Sequence, residues 1–324
     1  MSTLSIIIPT YNRLDRLRRV LGALERQTVA PDRFEVVVVV DGATDGTDAF
    51  LADYRGPLRL TPVVQPNSGV AAARNNGVAR ASGELILFID DDVVPAPDLL
   101  AEHLATHASS AEPTVVLGPM LTPDDFAMLP WVRWEQAMLM KQYEAMLAGE
   151  WAPSARQFYT GNSSLGRAHI LAAGGFDERF RRAEDVELAF RLSDLGLRFV
   201  FNPKAIGYHY AERSFGSWIT TPYMYGRNDV IFAREKGQEW LLPKVRVEFR
   251  KRHPLVRAVV RACLGRQVPS ALMIGGLRLA AEAGSRLRLE PVARAAYSGI
   301  FNLRHYQGVA DELGGREHFF AQLA

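Results

Sequence analysis

The sequence predicts an α/β fold with a mostly parallel sheet flanked by helices, followed by a helical C-terminal extension. Strand and helix patterns alternate regularly through the first hundred residues. The strand patterns are continuous aliphatic runs, as expected for strands that are buried on both faces of a parallel sheet. Short connections join these elements, which favours β-α-β units with right-handed crossovers.

Each element has its own local signal. Leucines at helical spacing follow Pro9, and a β-branched run is stopped by the turn formers DGATDGT. The later segments repeat this alternation, with an alanine-rich helix before the last strand. In chain order the predicted elements are strand Leu4–Ile8, helix Arg13–Gln27, strand Phe34–Val40, helix Thr47–Tyr54, strand Leu58–Gln65, helix Ser68–Ala81 and strand Leu85–Ile89. A GxGxxG fingerprint is absent from the sequence, which argues against a dehydrogenase.

Length and composition bound the organisation of the chain. Its 324 residues suffice for one large α/β domain with an appendage, or for two modest domains. With 48% hydrophobic and 23% charged residues the composition is that of an ordinary globular protein. The single cysteine, Cys263, excludes an internal disulfide framework and fits a reducing compartment. The sequence shows neither a secretory leader nor an apolar window long enough to span a bilayer, so we expect a cytoplasmic protein.

Three adjacent carboxylates, Asp90, Asp91 and Asp92, follow the apolar run Leu85–Ile89. Such carboxylates repel one another unless a cation offsets their charge. Ligands of parallel sheets collect at the carboxyl ends of the strands, and a hard divalent ion there shares oxygen ligands with phosphates. The alternative is a solvated acidic turn.

Five segments resemble family 2 of the glycosyltransferases in order and separation. They are SIIIPTYNR, VVVVVDGATDGT, NSGVAAARNNGVARASGELILFIDDD, GNSSLGR and GGFDERFRRAEDVELAFRL, and together they cover roughly residues 4–235. The resemblance implies a GT-A type fold that transfers a sugar from a nucleotide diphosphate sugar with inversion, using a divalent metal. It implies a nucleotide-sugar-binding half at 1–118 and an acceptor-binding and catalytic half at 119–240. Beyond the resemblance, the composition predicts a basic, mainly helical region at 241–324.

The donor site is predicted from residues that end strands or open helices. Tyr11 can lay its ring on a nucleobase, or it is a core tyrosine. Asp41 is implied to contact the base or ribose, or it caps a turn. Arg74 serves the pyrophosphate or pairs with the acidic run, or it is a surface arginine. The full predicted set is Pro9, Thr10, Tyr11, Arg13, Asp41, Arg74, Asp90 and Asp91.

The positions of Asp90, Asp91 and Asp92 along the chain predict which way each side chain points. Alternate residues on an extended chain point the same way, so Asp90 and Asp92 should project together and Asp91 apart, which makes Asp91 the most replaceable. The resemblance implies that Asp92 is the metal ligand and that Asp90 faces the ribose or Arg74. His209 is implied to complete the metal site, with a structural histidine as the alternative. The ion would be Mn²⁺ or Mg²⁺, since imidazole with carboxylates suits Mn²⁺ better than Ca²⁺.

The segment EDVELAFRL supplies the catalytic candidates. Asp185 lies at the start of a helix and is implied to be the base that deprotonates the acceptor hydroxyl, whereas the alternative is an acidic cap on the helix dipole. Glu184 is predicted to support catalysis by orienting the acceptor or the loop. Asn162 in GNSSLGR is predicted to bind the acceptor near the donor sugar, with a plain turn as the alternative.

The C-terminal third is basic. Residues 244–290 carry eleven Lys and Arg against three Glu, mixed with leucine, valine and alanine. A basic amphipathic helix on the surface of an anionic membrane has this composition. An ordinary helical subdomain with solvated arginines has it as well, so both interpretations stay open.

The predicted function is that of an inverting glycosyltransferase. It would move a sugar, most simply from a UDP-sugar, to a hydroxyl of a saccharide or lipid-linked acceptor in surface-polysaccharide or glycoconjugate assembly. No nucleic-acid partner is expected. The alternatives are a sugar nucleotidyltransferase, which would not need the ED helix, and a catalytically silent sugar-nucleotide-binding protein.

Overall fold

The computed structural model describes residues 4–323, and ten strands lie within that range. They are β1 (Leu4–Thr10), β2 (Phe34–Asp41), β3 (Leu60–Gln65), β4 (Leu85–Ile89), β5 (Val93–Pro95), β6 (Thr114–Leu117), β7 (Met120–Leu121), β8 (Asn162–Gly166), β9 (Arg198–Phe201) and β10 (Gly207–His209). The helices are α1 (Leu14–Leu24), α2 (Thr47–Ala52), α3 (Val70–Arg80), α4 (Leu99–Ser109), α5 (Pro130–Leu147), α6 (Arg167–Ala172), α7 (Glu184–Asp194), α8 (Phe215–Glu235), α9 (Leu241–Lys251), α10 (Pro254–Cys263), α11 (Gln267–Arg286), α12 (Glu290–Leu313) and α13 (Arg316–Leu323).

Seven strands form the central sheet in the order β3-β2-β1-β4-β8-β6-β9. Strand β1 runs parallel to β2 and β4, β2 parallel to β3, and β6 parallel to β9. Only β8 breaks the direction within this sheet, because it pairs antiparallel with both β4 and β6. The predicted mostly parallel α/β fold with a helical C-terminal region is confirmed.

The core explains why the strand patterns are continuous. All eight residues of β2 are buried, as are four of the five in β4. Helix α3 lies close to the sheet at Gly77, where a Cβ would come within 2.5 Å of Ile7 Cγ2. Side chains on both faces of the sheet are therefore buried, and for this reason the segments of β2 and β4 do not alternate between polar and apolar residues.

A second, three-stranded sheet has the order β5-β10-β7. Strand β10 is antiparallel to β5, with His209 opposite Val93, and parallel to β7. Since β5 begins directly after the acidic run, this small sheet fixes a distant part of the chain beside residues 90–92.

The chain divides into two compact units. The first unit contains both sheets and consists of the chain up to Ala127 together with Met138–Ala211. The second unit consists of Met128–Ala137 together with the chain from Glu212 onwards. The second unit is helical, and its core includes Trp218, Phe249 and Tyr306. In the described range, no helix is long and apolar enough to cross a membrane. The functional boundaries at residues 118 and 240 stay a prediction.

Candidate active site

The acidic run forms a turn at the end of β4. The Val93 N–H donates to the Asp90 carbonyl oxygen over 3.0 Å, so the chain reverses after Ile89 instead of continuing as a strand. The predicted alternation is therefore wrong. Asp91 and Asp92 meet at the same guanidinium, that of Arg13, while Asp90 points to Arg74.

Asp91 is the most buried residue of the run, and its side chain ties the turn to β1. Its carboxylate accepts hydrogen bonds from Thr10 Oγ1 at 2.8 Å and from Arg13 Nη1 at 2.9 Å. Burial raises the pKa of Asp91 to about 6, although the Arg13 charge opposes this shift. The prediction that Asp91 projects apart from Asp92 is wrong, because both carboxylates reach Arg13. That Asp91 is the most replaceable of the three stays a prediction.

Asp92 divides its two oxygens between different partners. Oδ2 lies 3.0 Å from Arg13 Nη1 and 3.5 Å from Arg16 Nη1. Oδ1 lies 3.5 Å from His209 Nε2. The pairing of β10 with β5 causes this second approach, reinforced by the Tyr210 N–H, which donates to the Asp92 carbonyl oxygen at 2.9 Å.

The two predicted metal ligands are thus neighbours. Across residues 4–323 no group of three or more His, Cys, Asp or Glu is arranged to hold a metal ion. The donor set of Asp92 and His209 fits an ion that takes its remaining ligands from phosphate and water, as Mg²⁺ and Mn²⁺ do.

Arg16 is a residue that the sequence reasoning missed. It stands three positions after Arg13, and residues at that spacing share a helix face, so the signal was present. A cleft of about 450 Å³ opens at the start of α1, lined by Asn12, Arg13, Leu14, Asp15, Arg16 and Asp45. Two guanidinium groups therefore face open space beside the acidic turn.

The Asp41 carboxylate is hydrogen-bonded to residues at the end of β3 and in the loop that follows it. Its carboxylate accepts hydrogen bonds from Gln65 Nε2, from the Ser68 N–H at 2.7 Å and from the Gly69 N–H at 2.9 Å. This fixes the loop that leads into α3, so the capping alternative describes the structure. Contact of Asp41 with a base or ribose stays a prediction.

Tyr11 has an exposed ring, 50% accessible, which excludes the alternative of a core tyrosine. It follows β1, whose last two residues are Pro9 and Thr10, and it precedes Asn12 in the left-handed region with φ 53°. Asn12 Oδ1 holds this bend by accepting from the Thr44 N–H at 2.7 Å. The ring is available to stack on a flat ligand.

Arg74 is a buried cation between two carboxylates. Nη2 lies 2.9 Å from Asp90 Oδ1, and Nη1 lies 2.7 Å from Glu184 Oε1. Its guanidinium also lies over the ring of Phe176, 5.7 Å from the centroid. Burial alone would lower the pKa of Arg74, but the charges of Asp90 and Glu184 outweigh this effect and raise it. The alternative that Arg74 is a surface arginine is therefore excluded. Glu184, predicted to orient the acceptor or the loop, forms an ion pair with Arg74.

Asp185 is the second residue of α7 and directly follows Glu184. It is partly buried, and its Oδ1 accepts from the Val186 N–H at 2.8 Å. Burial and the Glu184 charge raise the pKa of Asp185 to about 7, against the opposing charge of Arg74. A carboxylate with a pKa near neutrality can accept a proton efficiently at physiological pH. The geometry suits general-base chemistry.

Asn162 begins β8 and is buried. It is 0% exposed, and its amide donates to the carbonyl oxygens of Pro119 and Ala205 while its Oδ1 pairs with His103 Nε2 at 2.9 Å. In this structure the Asn162 side chain therefore joins β8 to α4 through His103 and to two carbonyl groups of other segments. Contact of Asn162 with an acceptor stays a prediction.

Comparison with known proteins decides the family. The profile described as Glycosyl transferase family 2 matches residues 5–168, half of the chain. The chain belongs to family 2 of the glycosyltransferases.

Curated relatives match about two-thirds of the chain. Validoxylamine A glucosyltransferase of Streptomyces hygroscopicus subsp. limoneus is 38% identical over 230 residues, which are 63% of this chain and 51% of the relative. The pre-mycofactocin glycosyltransferase of Mycobacterium tuberculosis is 29% identical over 230 residues, covering 68% of this chain and 46% of the relative. The chain spans about half of the length of these relatives.

Solved structures share the fold. The mannosyltransferase PcManGT from Pyrobaculum calidifontis, in complex with GDP-Man and Mn²⁺, superposes with a TM-score of 0.58 at 21% identity over 92% of this chain and 85% of that one. S. aureus TarS 1-349 in complex with UDP gives 0.51 at 19% identity over 97% and 92%. The GT-A type predicted for this chain is therefore confirmed as a fold.

Proposed function

We propose that this family 2 member is an inverting glycosyltransferase that uses a nucleotide diphosphate sugar, with UDP as the nucleotide. One arrangement carries the proposal. The acidic turn, with Asp92 beside His209, is joined through Asp90 and Arg74 to the helix start that bears Asp185. This proposal is supported because these contacts connect the charged residues proposed to bind the donor with Asp185, the proposed base.

The donor side would use the residues around the turn. The exposed ring of Tyr11 would stack on the base, and Arg13 and Arg16 would meet the diphosphate in the cleft beside α1. Asp92 and His209 would hold Mn²⁺ or Mg²⁺ through Oδ1 and Nε2. Once bound, such an ion neutralises charge on the leaving nucleotide.

The acceptor side would use Asp185. Its carboxylate would take the proton from the acceptor hydroxyl while that oxygen bonds to the anomeric carbon and the bond to the diphosphate breaks. A single displacement of this kind inverts the anomeric centre, as it does in hydrolysis by inverting enzymes. Glu184 would keep Arg74 in place beside this step.

The acceptor class is the finer part of the proposal. A hydroxyl of a saccharide or lipid-linked acceptor in surface-polysaccharide or glycoconjugate assembly fits the relatives by name. A segment of 94 residues is 38% identical to the poly(ribitol-phosphate) beta-N-acetylglucosaminyltransferase TarS of Staphylococcus aureus, covering 28% of this chain and 16% of TarS.

A thermal-shift panel of UDP-, GDP- and dTDP-sugars, with and without Mn²⁺, tests the donor and the metal together. The largest stabilisation is expected from a UDP-sugar with Mn²⁺, because ligands that bind only the folded state raise its stability. Stabilisation by no nucleotide sugar would overturn the proposal. Release of pyrophosphate from a nucleoside triphosphate and a sugar phosphate would instead identify a nucleotidyltransferase.

We also propose that one face of α11 contacts an anionic membrane surface. Val268, Leu272 and Leu279 recur at helical spacing on α11 and are between 68% and 72% exposed. The charged residues of α11 are Arg278, Glu282 and Arg286, and Arg266 directly precedes its first residue, so the helix has a net positive charge. Apolar residues that insert between basic ones are typical of helices that lie in the interface of anionic bilayers.

Flotation with phosphatidylglycerol-rich and neutral phosphatidylcholine vesicles tests this contact. Binding should require the anionic lipid, fall with salt, and weaken in a Leu272→Ser/Leu279→Ser variant. Equal binding of the variant, or no binding to anionic vesicles, would overturn it. Self-association in solution that the same variant abolishes would assign the face to a second copy instead.

A further inference from the structure

Arg74 has a geometry that neither donor binding nor packing alone explains. A single guanidinium bridges Asp90, which ends the β4 segment, and Glu184, which opens α7. Arg74 itself lies on α3, so three separate segments meet at one buried charge. Its third nitrogen, Nε, has no hydrogen-bond partner within the described part of the chain. The hydrogen bonds of the Arg74 guanidinium are thus directed at the carboxylates of Asp90 and Glu184.

We propose that Arg74 is a positioning residue that keeps Asp185 available as a base by neutralising Glu184 and Asp90 beside it. The inference rests on the proposed role of Asp185 and extends it to a residue that need not touch the acceptor. It also links the donor-side turn to the base, since Asp90 and Glu184 share the same cation.

The charges around Asp185 support this role. Glu184 and Asp90 are anions that favour the protonated form, and Arg74 is the cation that opposes them. The short turn Ala155–Gln157, which packs against α7, contributes Arg156 as its charged side chain. An opposite charge within a few ångströms shifts a carboxyl pKa by about 1–3 units. Loss of Arg74 should therefore raise the pKa of Asp185 from about 7 by about one unit or more.

A structural brace and an electrostatic partner predict different outcomes. If Arg74 only held α3, α7 and the acidic turn together, its removal would lower stability and leave the proton affinity of Asp185 unchanged. If it acts through charge, Arg74→Lys should keep that affinity near the wild-type value, whereas Arg74→Gln should raise it. Glu184→Gln, which removes an anion and keeps the cation, should lower it.

The test is a titration of the ligand-free full chain by NMR with ¹³C-labelled aspartate carboxyl groups. The Asp185 resonance is assigned by its loss in Asp185→Asn. The control is Arg191→Gln, which breaks the ion pair of Arg191 with Glu187 on the same helix. We expect Arg74→Gln to titrate at least about one pH unit higher, Glu184→Gln lower, and the control as the wild type.

An Asp185 titration that is unchanged in Arg74→Gln overturns the inference, whatever Glu184→Gln gives. If Arg74→Gln does not fold, Arg74→Met, which keeps the aliphatic stem and removes the charge, takes its place in the same titration with the same expected shift. Retention of full transfer by Asp185→Asn would instead overturn the proposed base, whatever the titrations give. The titration therefore tests the role of Arg74, and the transfer assay separately tests the role of Asp185 as the base.

Discussion

Replacement of Asp185 by asparagine should remove transfer and stabilise the protein at the same time. Asparagine keeps the shape of the side chain but has no basic oxygen. General-base contributions are typically ~10²–10⁴-fold, so the rate of transfer to the acceptor should fall by that order. Affinity for nucleotide and Mn²⁺ should barely change, because their predicted ligands lie around the acidic turn.

The gain in stability follows from the raised pKa. Asp185 has a pKa of about 7 in the folded chain against an ordinary value of 3.8. The folded state therefore binds this proton more tightly than the unfolded state, and wild-type stability is lost as pH rises from about 4 to about 7. At about 1.4 kcal/mol per pKa unit, Asp185→Asn should be more stable by about 2–4 kcal/mol above neutral pH and by almost nothing near pH 4.

Urea unfolding at about pH 4.5 and about pH 8 measures this difference, and a transfer assay on the same samples measures the rate. Glu184→Gln is the matched control on the neighbouring residue. It removes a partner of the buried Arg74 and should destabilise the fold by about 3 kcal/mol, with a milder effect on transfer that appears chiefly as a raised acceptor KM. Equal destabilisation by both variants, with transfer intact in Asp185→Asn, would refute the reasoning.

Three further outcomes are expected. Asp92→Asn should weaken the Mn²⁺-dependent stabilisation by nucleotide diphosphate in a thermal-shift assay, His209→Ala less severely, and an unchanged metal dependence in Asp92→Asn would remove the ion-site assignment. Asn162→Ala should lower the free energy of unfolding by about 3 kcal/mol, since buried partners lose their hydrogen bonds, while acceptor KM stays constant; a raised KM at full stability would contradict this. Gly77→Ala should cost about 1–3 kcal/mol by overpacking against Ile7, and equal stability in urea would show that the helix can shift.

The sheet could be predicted because its signals are local. The buried runs of β1, β2 and β4 are contiguous in sequence, and Leu14–Leu24 carries its leucines at helical spacing. The approach of Arg74 to Asp90 could also be anticipated, because both residues stand in one β-α-β unit. The antiparallel course of β8 carried no such signal, because its direction depends on which strands it joins.

The predicted orientation of Asp91 was wrong, and the burial of Asn162 was not foreseen, for the same physical reason. Strand alternation applied to residues 90–92 assumes an extended chain, but the hydrogen bond from Val93 to Asp90 turns it. Whether Asn162 faces a ligand or the interior depends on His103 and on two carbonyl groups from distant segments. Tertiary contacts of this kind cannot be found in the periodicity of one segment.

The antiparallel pairing of β8 with β4 has a consequence for biosynthesis. Strands β1 to β4 are complete once Ile89 has been made, but the partner of Ile89 in β8 is Asn162. Until that residue has left the ribosome, the apolar strand LILFI is an unpaired sheet edge, the kind of surface that recruits other chains. Nascent chains halted between these two residues should therefore depend on chaperones more than chains released after Gly166.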